Sequence, residues 1–130
     1  MKEFTIEVPL RWGDMDPMDH MNNVTYFRLI EEARLRWFKE LGCYRAPGSQ
    51  APILAHVSCD FVKALDWPGT AVVRQIVTKV GRSSVEHDIT IERSDAPGTV
   101  YAKARSVIVW FDYSAGKSMP WPESVRARIA

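Results

Sequence analysis

From residue 53 to residue 111 the chain reads as extended segments whose connections are too short to carry a crossover. Residues 53–62 are strand-like, Asp66-Trp67-Pro68-Gly69 turns the chain, and residues 70–80 are rich in Val and Ile. Gly81-Arg82-Ser83 makes a tight connection to a segment in which Val85, His87, Ile89 and Ile91 alternate with Glu86, Asp88, Thr90 and Glu92. That alternation buries one face and wets the other. Residues 95–98 turn again, and residues 99–111 form a long last strand. Antiparallel strands can be joined this tightly, whereas parallel strands need a crossover of about a dozen residues. An N-terminal strand, with Phe4, Ile6 and Val8 alternating and an end near Trp12, brings the predicted antiparallel sheet to five strands.

Only one long helix is predicted. Across residues 24–41 the apolar positions Val24, Phe27, Ile30, Trp37, Phe38 and Leu41 fall three or four apart, with a weaker Ala33 between them. Glu32 with Arg36, and Arg36 with Glu40, add i,i+4 pairs. Asn22 or Asn23 supplies an N-cap, and Gly42 a C-terminal stop. Residues 114–117 read as a turn, and Pro120-Trp121-Pro122-Glu123 as an extended arm with too much proline for a helix interior. One amphipathic helix against one face of a five-stranded antiparallel sheet is an α+β domain spanning residues 1–130. The run Val107-Ile108-Val109-Trp110-Phe111 is apolar on both faces, which predicts a partner subunit beyond the helix.

Composition removes several classes of function. With 17 Lys and Arg against 16 Asp and Glu, the formal charge of +1 carries no footprint for nucleic acid or for an anionic membrane. No apolar run approaches the roughly 20 residues of a membrane span, and the N-terminus lacks a signal-peptide core. Cys43 and Cys59 form no C-x-x-C pair, and a reducing cytoplasm is the expected location.

The chemistry concentrates in Arg11-Trp-Gly-Asp-Met-Asp-Pro-Met-Asp-His-Met-Asn-Asn23, directly before the helix. A carboxylate there sits near unpaired helix-start amides and the positive end of the helix dipole. Such amides can also hold a developing oxyanion, as acyl transfer requires. An aspartate beside them can serve as nucleophile or as general base toward a thioester or ester carbonyl. The competing reading is a solvated acidic loop with a capped helix. A calcium loop does not fit: Asp14 and Asp16 match positions 1 and 3, but Thr25 stands where the bidentate Glu belongs and Asp19 where Gly belongs. His20, His56 and His87 show no zinc-ligand spacing, so no metal site is assigned. His87 lies on an apolar strand face and reads as a core or interface histidine.

The same stretch, continued through Val24-Thr-Tyr26 to Glu32-Ala33-Arg34, resembles the opening of hotdog-fold acyl-CoA thioesterases of the 4-hydroxybenzoyl-CoA thioesterase type. In that family a strand leads into a D-x-D-x-x-G-H-x-N-N loop and then a helix with a tyrosine and often an E-A-R triplet. Val80-Gly-Arg-Ser-Ser84 is similar to the family's V-G-R-[ST]-S, and Asp112-Tyr-Ser-Ala-Gly-Lys117 with Pro120-Trp-Pro122 to its C-terminal D-x-x-T-G-K…P-x-P. Within the loop the departure is Asp19, where the family carries glycine before the histidine.

The resemblance implies a hotdog fold, in which a curved sheet wraps the long helix, and an acyl-CoA substrate with CoA as part of that substrate and no separate cofactor. It implies Asp16 as the catalytic carboxylate, and the backbone amides of Asn23 and Val24 as oxyanion donors. Asp14, His20, Asn22 and Tyr26 support the loop or touch substrate, while Arg82, Ser83 and Ser84 lie where the CoA arm passes. It also implies a homodimer or homotetramer whose active sites lie between subunits. Two rivals remain. Hotdog hydratases carry D-x-N-P-x-H, which Asp14-Met-Asp16-Pro17-Met-Asp-His20 narrowly misses, and a non-catalytic acyl-CoA binder is the other.

Overall fold

The computed structural model describes residues 1–18, 20–45 and 48–130. Strand β1 (Glu3–Pro9) ends in a single 3-10 turn over Trp12–Asp14, and the acidic loop then leads into helix α1 (Asn23–Leu41). Strands β2 (Gln50–Phe61), β3 (Thr70–Val80), β4 (Ser84–Arg93) and β5 (Ala102–Asp112) follow, then a two-residue strand β6 (Lys117–Ser118) and a short helix α2 (Glu123–Ile129). All pairings are antiparallel, in the order β1-β3-β4-β5-β2, with β6 added to β5. This is the α+β architecture the strand pattern predicts, with the long helix packed against one face of the sheet.

Three boundaries differ from expectation, each for a local reason. The first strand stops at Pro9 rather than near Trp12, because proline removes a ladder donor and the chain coils into the 3-10 turn. Residues 117–118 are not only a turn but a sixth strand, paired through Phe111↔Ser118 and Asp112↔Lys117. The proline-rich arm does not stay extended: Pro122 caps α2, whose Val125 and Ile129 are buried one helical turn apart. At the other end of α1, Gly42 takes the left-handed conformation (φ 79°) and sends its amide to the Lys39 carbonyl, while the Cys43 amide bonds the Phe38 carbonyl.

Helix and sheet bury two apolar clusters in sequence along α1. Tyr26, Ile30 and Ala33 pack on Ile6, Val73 and Ile91. Trp37, Phe38 and Leu41 pack with Ile108, Trp110 and Trp121. Between them lies a polar layer. Gln75 on β3, His87 on β4 and Ser106 on β5 occupy the middle helix-facing positions of their strands, His87 opposite Ser106, and all three are buried. Arg34 of α1 is buried as well. The His87 ring stands edge-on to Trp37 at 4.5 Å between centroids, and neither of its nitrogens has a hydrogen-bond partner among the described residues. Burial, seconded by the Arg34 charge, lowers the His87 pKa from 6.5 to about 4.

Between these two values the unfolded chain binds a proton that the folded chain excludes, so the His87 contribution lowers stability as pH drops through 6.5 and levels off below about 4. The wild type should therefore lose up to about 3 kcal/mol more than His87→Phe between pH 7 and pH 4 in urea titrations. Equal losses in the two proteins would contradict this account.

Candidate active site

The loop before α1 is built on two aspartates with different tasks. Asp14 closes the 3-10 turn and is only 6% exposed. Its Oδ2 accepts the Arg11 amide at 2.8 Å, and its Oδ1 accepts the Arg11 guanidinium at 3.2 Å. Its carbonyl accepts the Asn22 amide at 3.1 Å and the Thr25 hydroxyl at 3.4 Å. Both ends of Asp14 are thus spent on joining the end of β1 to the start of α1. Thr25, which sequence reading passed over, is the helix residue that completes this tie.

Asp16 belongs to the loop beyond, whose base is a bridge between Met15 and Met21. Its amide donates to the His20 carbonyl at 2.7 Å. Its Oδ1 accepts the amides of Met18 at 2.9 Å and His20 at 3.1 Å, and Oδ2 has no donor among the described residues. One oxygen anchors the carboxylate and the other is presented. Asp16 is half-buried, while Met18, which donates to it, and Trp12 in the preceding 3-10 turn are each 74% exposed. His20 holds the loop through its main chain, and its own residue is exposed. Asp19, the departure from the family pattern, lies outside the described residues.

Asn22, not Asn23, is the N-cap: its Oδ1 accepts the Val24 amide at 2.9 Å, and its carbonyl accepts the Thr25 amide at 2.8 Å. The expected oxyanion donor Val24 is therefore occupied, because capping and oxyanion binding draw on the same amide. An acyl oxygen reaches it only by displacing Asn22. Asn23 opens the helix, and its amide has no acceptor among the described residues. Tyr26 is buried, in the same apolar cluster as Met15 and Met21 at the base of the loop. Its hydroxyl accepts the Leu65 amide at 3.2 Å and its ring stands edge-on to Phe61 at 4.9 Å, so it ties α1 to the segment between β2 and β3. Burial pushes its pKa up.

Arg82, Ser83 and Ser84 lie at the other end of the molecule. Their turn packs on Trp121 and Trp110, beside the C-terminal half of α1, whereas Met21 and Tyr26 pack beside its N-terminal half. The 19 residues of α1 span about 28 Å. One chain therefore does not bring Asp16 and Arg82 together.

A cleft of about 570 Å³ opens between β1 and α1, lined by Asp14, Thr25, Arg28, Leu29 and Arg36 among others, but not by Asp16. A second hollow, of about 390 Å³, lies on the outer sheet face among Asp60, Asp88, Lys103 and Arg105. Among the described residues no three or more His, Cys, Asp or Glu side chains converge as a metal would require, and no helix is long and apolar enough to cross a membrane. Cys43 and Cys59 are free thiols.

Comparison with known proteins places the chain. A thioesterase-like superfamily model matches residues 10–129, so the chain belongs to that superfamily, and its fold is the hotdog fold of thioesterases. It is 33% identical to the PA2801 protein of Pseudomonas aeruginosa, described as a candidate thioesterase, over 98% of both chains with a TM-score of 0.91. A thioesterase of Thermus thermophilus, solved with coenzyme A and zinc, is 27% identical over 97% of this chain and 90% of its own, with a TM-score of 0.82. YsmA of Bacillus subtilis strain 168, itself uncharacterised, is 26% identical over 97% of this chain and 84% of its own.

Asp14→Ala removes two acceptors at the start of the loop and leaves the Arg11 amide unanswered. It should destabilise the protein by about 2 kcal/mol in urea unfolding. A loss below about 0.5 kcal/mol would show that Asp14 is not the tie described.

Proposed function

We propose that the protein is an acyl-CoA thioesterase of the 4-hydroxybenzoyl-CoA thioesterase type, in which Asp16 carries the hydrolysis. The observation that bears most weight is the division of labour within that carboxylate. Oδ1 is fixed by the Met18 and His20 amides, and Oδ2 has no donor among the described residues. A preoriented oxygen in the loop before a helix is what attack on a thioester carbonyl needs. As nucleophile, Oδ2 bonds the carbonyl carbon and the thiolate of CoA leaves, and water then cleaves the mixed anhydride. As general base, it takes a proton from water as that oxygen bonds the carbon, and the tetrahedral intermediate expels the same thiolate. In both routes the oxyanion faces the Asn23 amide, with the Val24 amide joining once Asn22 yields it. The chemistry asks for no cofactor beyond the CoA of the substrate.

The likeness to a CoA-complexed thioesterase supports CoA as the carrier, and the Arg82 turn would receive its arm. Because Asp16 and Arg82 sit at opposite ends of α1, we assign them to one site through a homodimer, each chain giving the loop of one site and the turn of the other. Two features support this. The 12-residue strand β2 is an edge strand that pairs only with β5 among the described residues, and Leu54 and Phe61 on it are exposed. Trp12, Met18 and Val24 form an exposed apolar fringe around the loop, which a partner chain would cover. A tetramer would add a second contact between such dimers.

Asp16→Asn keeps an oxygen for the Met18 and His20 amides and removes the charge. It should leave the melting temperature nearly unchanged and lower thiol release by a factor on the order of 100 or more. The substrates are aromatic, short and long acyl-CoAs, assayed with a thiol reagent. Unchanged turnover in the variant would remove Asp16 from the mechanism, and absorbance change with a crotonyl thioester in place of thiol release would favour the hydratase.

A further inference from the structure

The turn between β3 and β4 has all four of its backbone carbonyls engaged by the C-terminal segment and its neighbours. The Gly81 carbonyl accepts the Arg126 guanidinium of α2 at 2.7 Å. The Arg82 carbonyl accepts the Trp121 amide at 3.2 Å. The Ser83 carbonyl accepts the Trp121 indole N–H at 2.9 Å and the Trp110 amide at 3.0 Å. The Ser84 carbonyl accepts the Gly81 amide at 2.7 Å. Four consecutive carbonyls, residues 81–84, are therefore tied inward. The Arg82 and Ser83 amides, by contrast, have no acceptor among the described residues, and Arg82 itself is exposed.

An ordinary turn offers both signs of dipole to its surroundings. Here the backbone groups left without partners among the described residues are two amides, beside the exposed Arg82 residue, a pattern that suits phosphate oxygens. Gly81 leaves room beside the Ser84 hydroxyl, from which a Cβ would stand 2.9 Å. Trp121 is buried and packs against Trp110 with ring centroids 5.2 Å apart, so the clamp is anchored in the core rather than laid on the surface. None of this was legible in the arm Pro120-Trp121-Pro122-Glu123, which reads as a proline-rich extension.

We infer that Trp121 and Arg126 are positioning residues for the phosphate-bearing arm of CoA: they hold the carbonyls of residues 81–83 so that the amides and guanidinium of the turn, not its carbonyls, meet the ligand. The inference rests on the reading of this turn as the CoA contact. It assigns to the C-terminal helix a part in substrate binding, acting through the turn and without touching the reacting thioester.

The test is calorimetric titration of the purified protein with CoA and with pantetheine, which lacks the nucleotide phosphates. Arg126→Gln should weaken CoA binding about fivefold to tenfold and leave pantetheine binding within twofold. Arg126→Lys, which keeps a donor and a charge, should recover at least half of that loss. Trp121→Phe, which keeps the ring packing and deletes one donor, should show a smaller loss in the same direction. In the double variant with Arg82→Ala the losses should be less than additive, because both act on one turn. Equal weakening of both ligands by Arg126→Gln would mean general damage, and additive losses would make Arg126 an independent contact; either overturns the inference. If Arg82→Ala weakens CoA selectively and Arg126→Gln does not, the clamp fails while the turn stands. If the wild type binds CoA no better than pantetheine, the turn is not the CoA contact and both fall.

Discussion

One helix sets the dimensions of this protein. At 19 residues, α1 is long enough to pack on both apolar clusters, and its two ends lie beside different chemical features. The acidic loop is tied to its first turn through Asp14, Asn22 and Thr25, and the 81–84 turn is fixed beside its last turns through Trp121 and Trp110. A sheet that wraps such a helix cannot bend these two features together within one chain. The proposal of a site shared between chains rests on that separation and on reading both features as parts of a single thioesterase centre.

The interior of the clasp is less uniform than its apolar stripe suggests. The layer of Arg34, Gln75, His87 and Ser106 interrupts the core at its middle, and two of these side chains leave nitrogen atoms without partners among the described residues. Such groups cost stability relative to an apolar filling. The fold tolerates the cost because both flanking clusters are dense in aromatic and branched side chains. The same economy applies to the acidic loop, where Asp14 is buried and fully engaged so that Asp16 can be half-buried and engaged through one oxygen only.

How much of this is written in the sequence depends on the range of the interaction. The strands and α1 announce themselves through periods of 2 and 3.6, and their observed bounds fall within a few residues of the pattern. Strand β6 has two residues and therefore no period to detect, although its partner β5 is obvious. Helix α2 carries a readable Val125 and Ile129 pair, which the upstream prolines mask. Within the loop, residue types pointed to a capped helix and a positioned carboxylate. They did not show which asparagine caps, nor that capping occupies the Val24 amide, because both uses require the same residues in the same order. The tie from Arg126 to Gly81 spans 45 residues and has no local trace at all.

The claim that the catalytic loop of one chain works with the turn of another has a direct test in mixed subunits. Asp16→Asn and Arg82→Ala chains are denatured together in equal amounts, refolded, and assayed at acyl-CoA concentrations well below KM. With sites shared between chains, half of the dimers combine both changes in one site and leave the other site intact, so activity should rise to about a quarter of wild type, above the mean of the two variants refolded alone. Activity equal to that mean would place both residues in one chain's site and contradict the account.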